Sequence, residues 1–315
     1  MIHLICPNPA IDRTLLVKNF SPSTPNRPFE VKEFPGGKSF NVAYAIKQEN
    51  PMAEVCIHTI IGGHNGKYLS DLAKKCKVNL VITEVMQNTR VCNIVVDTEK
   101  KVIYPIYEKG LSLTNDILKT FSQNIAANVK DNDIIVFSGS LMKGMPDNYI
   151  AEISKKLKKR NVKIFVDTSG KPLVEAYKEK PYMIKINDEE IMDLFPKKKL
   201  NTIQDYHQLL SGQTNIPFFI ITLGKKGVIA KMENEFFYLK TKEIEAKNPV
   251  ASGDFFLGVL TNCIDQNIPY EESLKLAISY SAANCLNWYP EVRKEDVKAI
   301  YSTVKVEKLP KNPLS

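Results

Sequence analysis

No stretch of this 315-residue chain approaches the roughly 20 consecutive apolar residues that a membrane-crossing helix needs. The longest apolar run, Ile216-Pro217-Phe218-Phe219-Ile220-Ile221-Thr222-Leu223, is strand-like, so no membrane partner is expected. The N-terminus carries neither a basic nor a cleavable apolar segment. It runs directly into Ile2-His3-Leu4-Ile5-Cys6, which reads as the first strand of a cytoplasmic protein. C-x-x-C pairs are missing too. The six cysteines (Cys6, Cys56, Cys76, Cys92, Cys263 and Cys285) are scattered, most of them inside apolar segments, which implies buried reduced thiols. The four histidines, His3, His58, His64 and His207, show no metal-ligand spacing along the chain, which argues against zinc. Repeats, linkers and low-complexity segments are also absent, so a single domain over residues 1–315 is expected.

What is present is an ordinary globular composition, 43% hydrophobic and 25% charged, with ample core. The net charge is +8. Its densest cluster, Lys155-Lys156-Leu157-Lys158-Lys159-Arg160, ends a helical pattern whose apolar face is Tyr149, Ile150, Ile153 and Leu157. Cations there complement the helix dipole and need no ligand. No aromatics interleave with the basic residues to stack bases, so nucleic acid is not the expected partner. A small anionic substrate fits the charge.

Short apolar runs alternate with helical patterns. Strands are expected at Ile2–Cys6, Val55–Ile61, Val78–Thr83, Ile134–Phe137, Lys163–Val166, Tyr182–Ile186 and Phe218–Leu223. Helices are expected over 114–129 and 271–288, the latter closed by Pro290. This alternation predicts an α/β protein, a mainly parallel sheet covered by helices on both faces. Two stretches break it. Residues 27–34 alternate polar and apolar, and Val91–Val96 and Val102–Tyr107 form a hairpin. These three strands suit a small flap over the carboxyl edge of the sheet, where open α/β sheets bind ligands. Its segments fall at about 11–35 and 88–107.

The chemistry concentrates in a few turns. Asn248-Pro249-Val250-Ala251-Ser252-Gly253-Asp254 precedes the apolar Phe255-Phe256-Leu257, so a small-residue turn opens a helix with one carboxylate in its first turn. Unpaired amides at a helix start hold anions, and an adjacent carboxylate can take a proton from an attacking hydroxyl, a pairing suited to phosphoryl transfer. From these residues alone Asp254 reads more simply as a capping residue. Gly36-Gly37-Lys38 precedes a helix with Phe40, Ala43 and Ile46. There Lys38 and Asn41 can meet a phosphate or hydroxyl, or the pair of glycines is a plain tight turn. The spacing is not that of a Walker P-loop.

Asp12, after Pro7-Asn8-Pro9-Ala10-Ile11, is either a sugar-hydroxyl acceptor or an Asx-turn residue. Ser138 and Gly139 leave another strand. Asn187 with Glu190 reads as a capping box, or as outer-sphere partners of a hydrated magnesium ion. Thr222-Leu223-Gly224-Lys225-Lys226-Gly227 reads as a glycine hairpin bordering a nucleotide, or as a tight β-turn.

Jointly the Gly-Gly-Lys, Ser-Gly-Ser-Leu and Asn-Pro-Val-x-Ser-Gly-Asp elements, from Asn8-Pro9 to about Trp288, resemble the ribokinase-like sugar kinases of the phosphofructokinase-B branch. Within that branch the pattern resembles 1-phosphofructokinases and tagatose-6-phosphate kinases. The resemblance implies a three-layer αβα fold with a β-sheet lid, ATP and Mg2+ as cofactors, and a homodimer formed through the lid. By the same resemblance Asp254 is the base, with the amides of Ala251, Ser252 and Gly253 as anion hole. Asp12, Gly36, Gly37, Lys38, Asn41 and Ser138 bind the sugar, and Arg27 and Arg90 its existing phosphate. Lys185, Asn187 and Glu190 face the ATP phosphates and magnesium, the last two through water, while Thr222, Gly224, Gly227 and Asn284 border the nucleotide.

Three positions depart from the family pattern: Ser39 and Ala251 replace glycines, and Ile186 replaces a proline. At Ala251 a turn needing φ > 0 would cost roughly 1 kcal/mol. The implied reaction is phosphorylation of tagatose 6-phosphate or fructose 1-phosphate. The alternatives are a kinase of fructose 6-phosphate or an unphosphorylated sugar, and a catalytically weak sensor of sugar phosphate or nucleotide.

Overall fold

The computed structural model describes residues 1–313. Among them, ten strands form the larger sheet. Its parallel part runs, in spatial order, β5 (Asn79–Val85), β4 (Val55–Gly62), β1 (Ile2–Cys6), β8 (Ile134–Ser138), β9 (Lys163–Asp167), β10 (Met183–Asn187) and β11 (Phe218–Thr222). Antiparallel β12 (Val228–Met232), β13 (Glu235–Lys240) and β14 (Lys305–Leu309) extend it beyond β11. These three were not expected from the sequence. Lys231 interrupts β12, and β13 and the edge strand β14 mix lysine and glutamate into their runs, so none shows the continuous apolar signal of buried parallel strands.

The central parallel strands are largely apolar because both sheet faces are covered there, whereas β5 at the edge is mostly exposed or half-buried. In β11, Phe218 and Ile220 enter one core while Phe219 and Ile221 enter the other. The first core takes the apolar stripes of α1 (Lys38–Glu49), α2 (Gly63–Lys75), α8 (Ser252–Asp265), α9 (Tyr270–Asn284) and α10 (Lys294–Tyr301). The second takes those of α3 (Asn115–Asn128), α4 (Tyr149–Leu157), α5 (Gly170–Lys178), α6 (Ile191–Leu194) and α7 (Ile203–Ser211). The αβα layering expected above is therefore present. Helix α3 begins on Thr114, whose hydroxyl accepts from the Ile117 amide, as the pattern over 114–129 predicts. Helix α9 stops at Asn284, four residues short of the predicted span, and 285–288 continue as turns. The basic cluster after α4 needs no ligand: Arg160 Nη1 donates to the carbonyls of Ala126 and Val129 at the end of α3.

The lid is a separate sheet in the order β3 (Glu30–Gly36), β2 (Ala10–Val17), β6 (Val91–Asp97), β7 (Val102–Tyr107). It has four strands rather than three. The extra one, β2, lies at its centre, pairing antiparallel with β3 and parallel with β6. Ile11-Asp12-Arg13-Thr14-Leu15-Leu16-Val17 shows no clean alternation, which is why the sequence did not reveal it. The turn reading of Asp12 is thereby corrected: it sits mid-ladder, opposite Phe34 and Cys92. Register decides the two faces of the lid. Asp12, Leu16, Cys92 and Val96 turn inward, and Leu16 and Val96 pack on Tyr289. Val31, Leu15, Val95 and Ile106 turn outward, with Val31 48% and Ile106 59% exposed.

Candidate active site

Helix α8 starts where the sequence placed it. Ala251 is its N-cap residue at φ 68°, ψ −5°, a left-handed conformation that L-residues avoid, and Asp254 occupies the first turn. The first-turn amides of Gly253 and Asp254 have no intrahelical acceptor. That of Ser252 donates to the Pro249 carbonyl at 3.2 Å. Asp254 is only 5% exposed, and Asn41 Nδ2 donates to its Oδ2 at 2.9 Å. Burial pushes the carboxyl up to about 6, against the pull of the Lys38 and Lys185 ammonium groups and the Asn41 bond. An acid poised there is mostly ionised at pH 7 yet basic enough to accept a proton.

Two lysines face this helix start. Lys185, at the middle of β10, is buried and bonded to Asp167 Oδ2 at 2.8 Å. A Cβ on Gly253 would lie 3.0 Å from the Lys185 ammonium, so glycine is what lets that cation sit over the first turn of α8. Lys38, first residue of α1, lays its stem along Gly139, whose added Cβ would lie 3.1 Å from Lys38 Cδ. Partial burial works against the Lys38 charge, but the carboxylates of Asp167, Asp254 and Glu190 outweigh it and raise its pKa.

Asp167 is the residue that sequence reasoning missed. Its signal was present: a carboxylate closing an apolar strand before the small-residue turn Thr168-Ser169-Gly170, at the same sheet edge as Ser138. The Gly139 amide donates to the Asp167 carbonyl at 2.8 Å, which ties these two strand ends together.

On the lid side, the Asp12 carboxylate packs directly on Gly36, where any Cβ would collide with it. Burial raises Asp12 to about 6, opposed by Arg90 and by the Gly37 amide. Gly37 caps α1 at φ 111°, so the tight turn is real and requires glycine. Arg90 is clamped, its Nε and Nη2 donating to the carbonyls of Pro9 (3.3 Å) and Asn8 (3.1 Å). Arg27 is not brought to this cluster. It lies exposed in the coil before β3, with no partner among the described residues. Ser39 is absorbed into the body: its hydroxyl donates to the Ile5 carbonyl at 2.8 Å. The Ser138 hydroxyl is buried without a partner, as are Asn8 Oδ1 and Thr168 Oγ1, all three at the carboxyl edge.

Toward β11 the alternatives separate. Asn187 and Glu190 do close a capping box: Glu190 Oε2 accepts from the Asn187 amide (2.9 Å), and Asn187 Oδ1 from the amides of Glu189 (2.9 Å) and Glu190 (2.7 Å). Burial still raises the Glu190 pKa. Thr222 ends β11, its hydroxyl 3.4 Å from the Ile186 carbonyl. Gly224, at φ 56°, borders open space, since a Cβ there would meet nothing within 4 Å. Gly227 is demanded by packing, because its Cβ would strike the Leu239 backbone. Asn284 is buried at the end of α9 with Oδ1 unpartnered.

The sequence profile described as pfkB family carbohydrate kinase matches residues 5–288. A protein named tagatose-6-phosphate kinase from Staphylococcus epidermidis (strain ATCC 12228 / FDA PCI 1200) is 28% identical over 291 residues, covering 91% of this chain and 92% of its own length. A protein named 1-phosphofructokinase from Bacillus subtilis (strain 168) is 23% identical over 313 residues, covering 98% and 100%. Among solved structures, phosphofructokinase-2 from Escherichia coli in complex with substrates and products superposes with a TM-score of 0.87 at 21% identity, covering 96% of this chain and 98% of that one. That likeness shows the fold. No helix among the described residues is long and apolar enough to cross a membrane.

Proposed function

Because the chain belongs to the pfkB family of carbohydrate kinases, we propose that it transfers the γ-phosphoryl group of ATP to a hydroxyl of a ketohexose monophosphate, tagatose 6-phosphate or fructose 1-phosphate. The observation that carries the reading is the buried Asp254 in the first turn of α8, flanked by unpaired amides and two lysines. The acceptor O–H gives its proton to Asp254 as the oxygen bonds phosphorus and the bond to ADP breaks. The Ala251, Gly253 and Asp254 amides, with Lys38 and Lys185, oppose the charge that develops on the transferring group, while the Ser252 amide is engaged by the Pro249 carbonyl. Asn41 holds the Asp254 carboxylate toward the acceptor.

A phosphorylated acceptor is favoured by Arg90, held beside Asp12 by two backbone carbonyls with part of its planar fork still available. The two curated relatives also bear the names of kinases of such sugars. The site also fits ATP: open space borders Gly224, and the hydroxyl of Thr168 and the amide oxygen of Asn284 lack partners. Asn187 and Glu190 are hard oxygen donors already engaged locally, which suits holding Mg2+ through water. Mg2+ bound there would neutralise phosphate charge. The outward apolar face of the lid, with Val31 and Ile106 exposed, supports a homodimer in which a second copy covers it.

The test is ADP release across a panel of sugars and sugar phosphates, with Arg90→Ala and Asp254→Asn beside the native protein. Turnover on one ketohexose phosphate, lost in Asp254→Asn, with a KM raised at least tenfold in Arg90→Ala, is the expected result. An unchanged KM in Arg90→Ala removes the case for a phosphorylated acceptor. Binding without turnover makes the protein a sensor, a reading favoured by the strained Ala251 at the anion hole.

A further inference from the structure

Remote from the carboxyl edge, β1 and β4 bring together three side chains that the proposed reaction does not use. Cys56 and His58 stand two apart in β4 and therefore share a face. The parallel register sets His3 of β1 opposite Cys56. One donor atom from each of the three lies within 4.8 Å of the others, and all three residues are buried. They point into the second core, on the face that also takes Ile5 and Ile60.

The cluster is already oriented as a ligand set. Asp133 Oδ2 accepts from His3 Nε2 at 3.0 Å, and the carboxylate is itself fixed by the Lys130 amide at 2.6 Å and the N-terminal ammonium at 3.2 Å. This bond places the His3 proton on Nε2 and turns the Nδ1 lone pair toward His58 Nε2, 3.0 Å away. Metal-bound histidines characteristically have their second nitrogen held by a carboxylate in this way. As a hydrogen-bonded chain the network is incomplete, because His58 Nδ1 is buried with no partner.

We propose that His3, Cys56 and His58 form a structural binding site for a divalent transition metal of the zinc class. Two imidazole nitrogens and one thiolate are the donor set such an ion prefers in tetrahedral coordination. Binding releases one proton: the Cys56 thiol loses its hydrogen to solvent as sulfur coordinates. The proton in the His3–His58 hydrogen bond passes to the free Nδ1 of His58, so both rings stay neutral. The ion would clamp β1 to β4 without touching Asp254 or Lys185.

The absence of metal-ligand spacing along the chain does not bear on this site. Its donors come from two strands and meet only through the sheet register.

The test is cobalt titration of chelator-treated protein, and of protein refolded with cobalt. Expected are saturable uptake of one ion per chain, tetrahedral visible absorption with an ultraviolet thiolate-to-cobalt band, displacement by zinc, and a higher Tm. Cys56→Ser removes the thiolate band while kinase turnover stays unchanged. Asp133→Asn weakens metal affinity by roughly 10- to 100-fold. Absence of saturable uptake by either preparation, or an identical cobalt spectrum in Cys56→Ser, overturns the assignment.

Discussion

Asn41 Nδ2 reaches Asp254 Oδ2 across 2.9 Å, joining the start of α1 to the start of α8 although the two residues are 213 apart in sequence. Both helices begin at a glycine-bearing turn on the same sheet edge, and this bond aims the carboxylate of one toward the lid side of the other.

Asp254→Asn separates activity from stability. Loss of the base lowers kcat by about 10² to 10⁴-fold. The folded-state pKa of about 6 stands above the ordinary 3.8, so the folded protein binds the proton more tightly than the unfolded chain does. The resulting stability is fully present below pH 3.8 and is lost as pH rises through 6. At pH 8 the buried charge therefore costs up to roughly 3 kcal/mol, and the neutral variant should be more stable by a sizeable part of that. The gain should shrink to roughly half at pH 5. Thermal melts at the two pH values check this, and a variant less stable at pH 8 contradicts it.

The acid limb of kcat/KM should lie near pH 6, because burial pushes both Asp254 and Asp12 up to about 6. Both carboxylates are needed ionised, one as base and one as hydroxyl acceptor, so the limb should be steeper than a single titration. In Asp12→Asn it should become single. A limb near pH 4 would show that substrate-free burial does not govern these groups.

Lys185 and Asp167 are a buried pair, so removing one partner strands the other. Asp167→Asn should destabilise the fold by about 3 to 5 kcal/mol, and Lys185→Met added to it should recover much of that loss. Both variants should turn over slowly. Equilibrium urea unfolding of the single and double variants measures the coupling, and strict additivity would refute it.

Gly36→Ala tests the lid contact without replacing a functional side chain. The new methyl collides with the Asp12 carboxylate, which must move, so KM for the sugar should rise at least tenfold while ATP affinity is kept. Equal losses of affinity for both ligands would mean a general disturbance instead.

Ala251→Gly should relieve the left-handed alanine. That strain is about 1 kcal/mol, partly offset by the greater freedom of glycine in the unfolded chain. The urea midpoint should therefore rise slightly, with kcat equal to or above that of the native protein. A lower midpoint would place the strain elsewhere.

Much of this site was legible because its turns carry their own chemistry. Gly36-Gly37 marks a turn, the family pattern implies one needing positive φ at Ala251, and Lys38 and Asp254 follow them at helix starts, where amides and dipoles are strongest. The central parallel strands were legible because burial on both faces leaves mostly apolar runs. Strand β2 was not, since it is central to the lid and buried at both ends on either face, Ile11 and Val17 included, so no regular alternation survives. Asp167 escaped because a lone carboxylate at a strand end has no local signature until Lys185 is placed opposite it.

By itself the sequence determined what depends on neighbours within a few residues: the strand and helix alternation, the capped turns, the family pattern and the candidate base. Tertiary structure alone decided what depends on which strands lie side by side. It paired Lys185 with Asp167, laid Asp12 on Gly36, left Arg27 outside the cluster, and gathered His3, Cys56 and His58 across two strands. The physical reason is that backbone propensities and caps act over one helical turn. Sheet register acts between segments tens of residues apart, and it is set by the burial of whole faces rather than by any single residue.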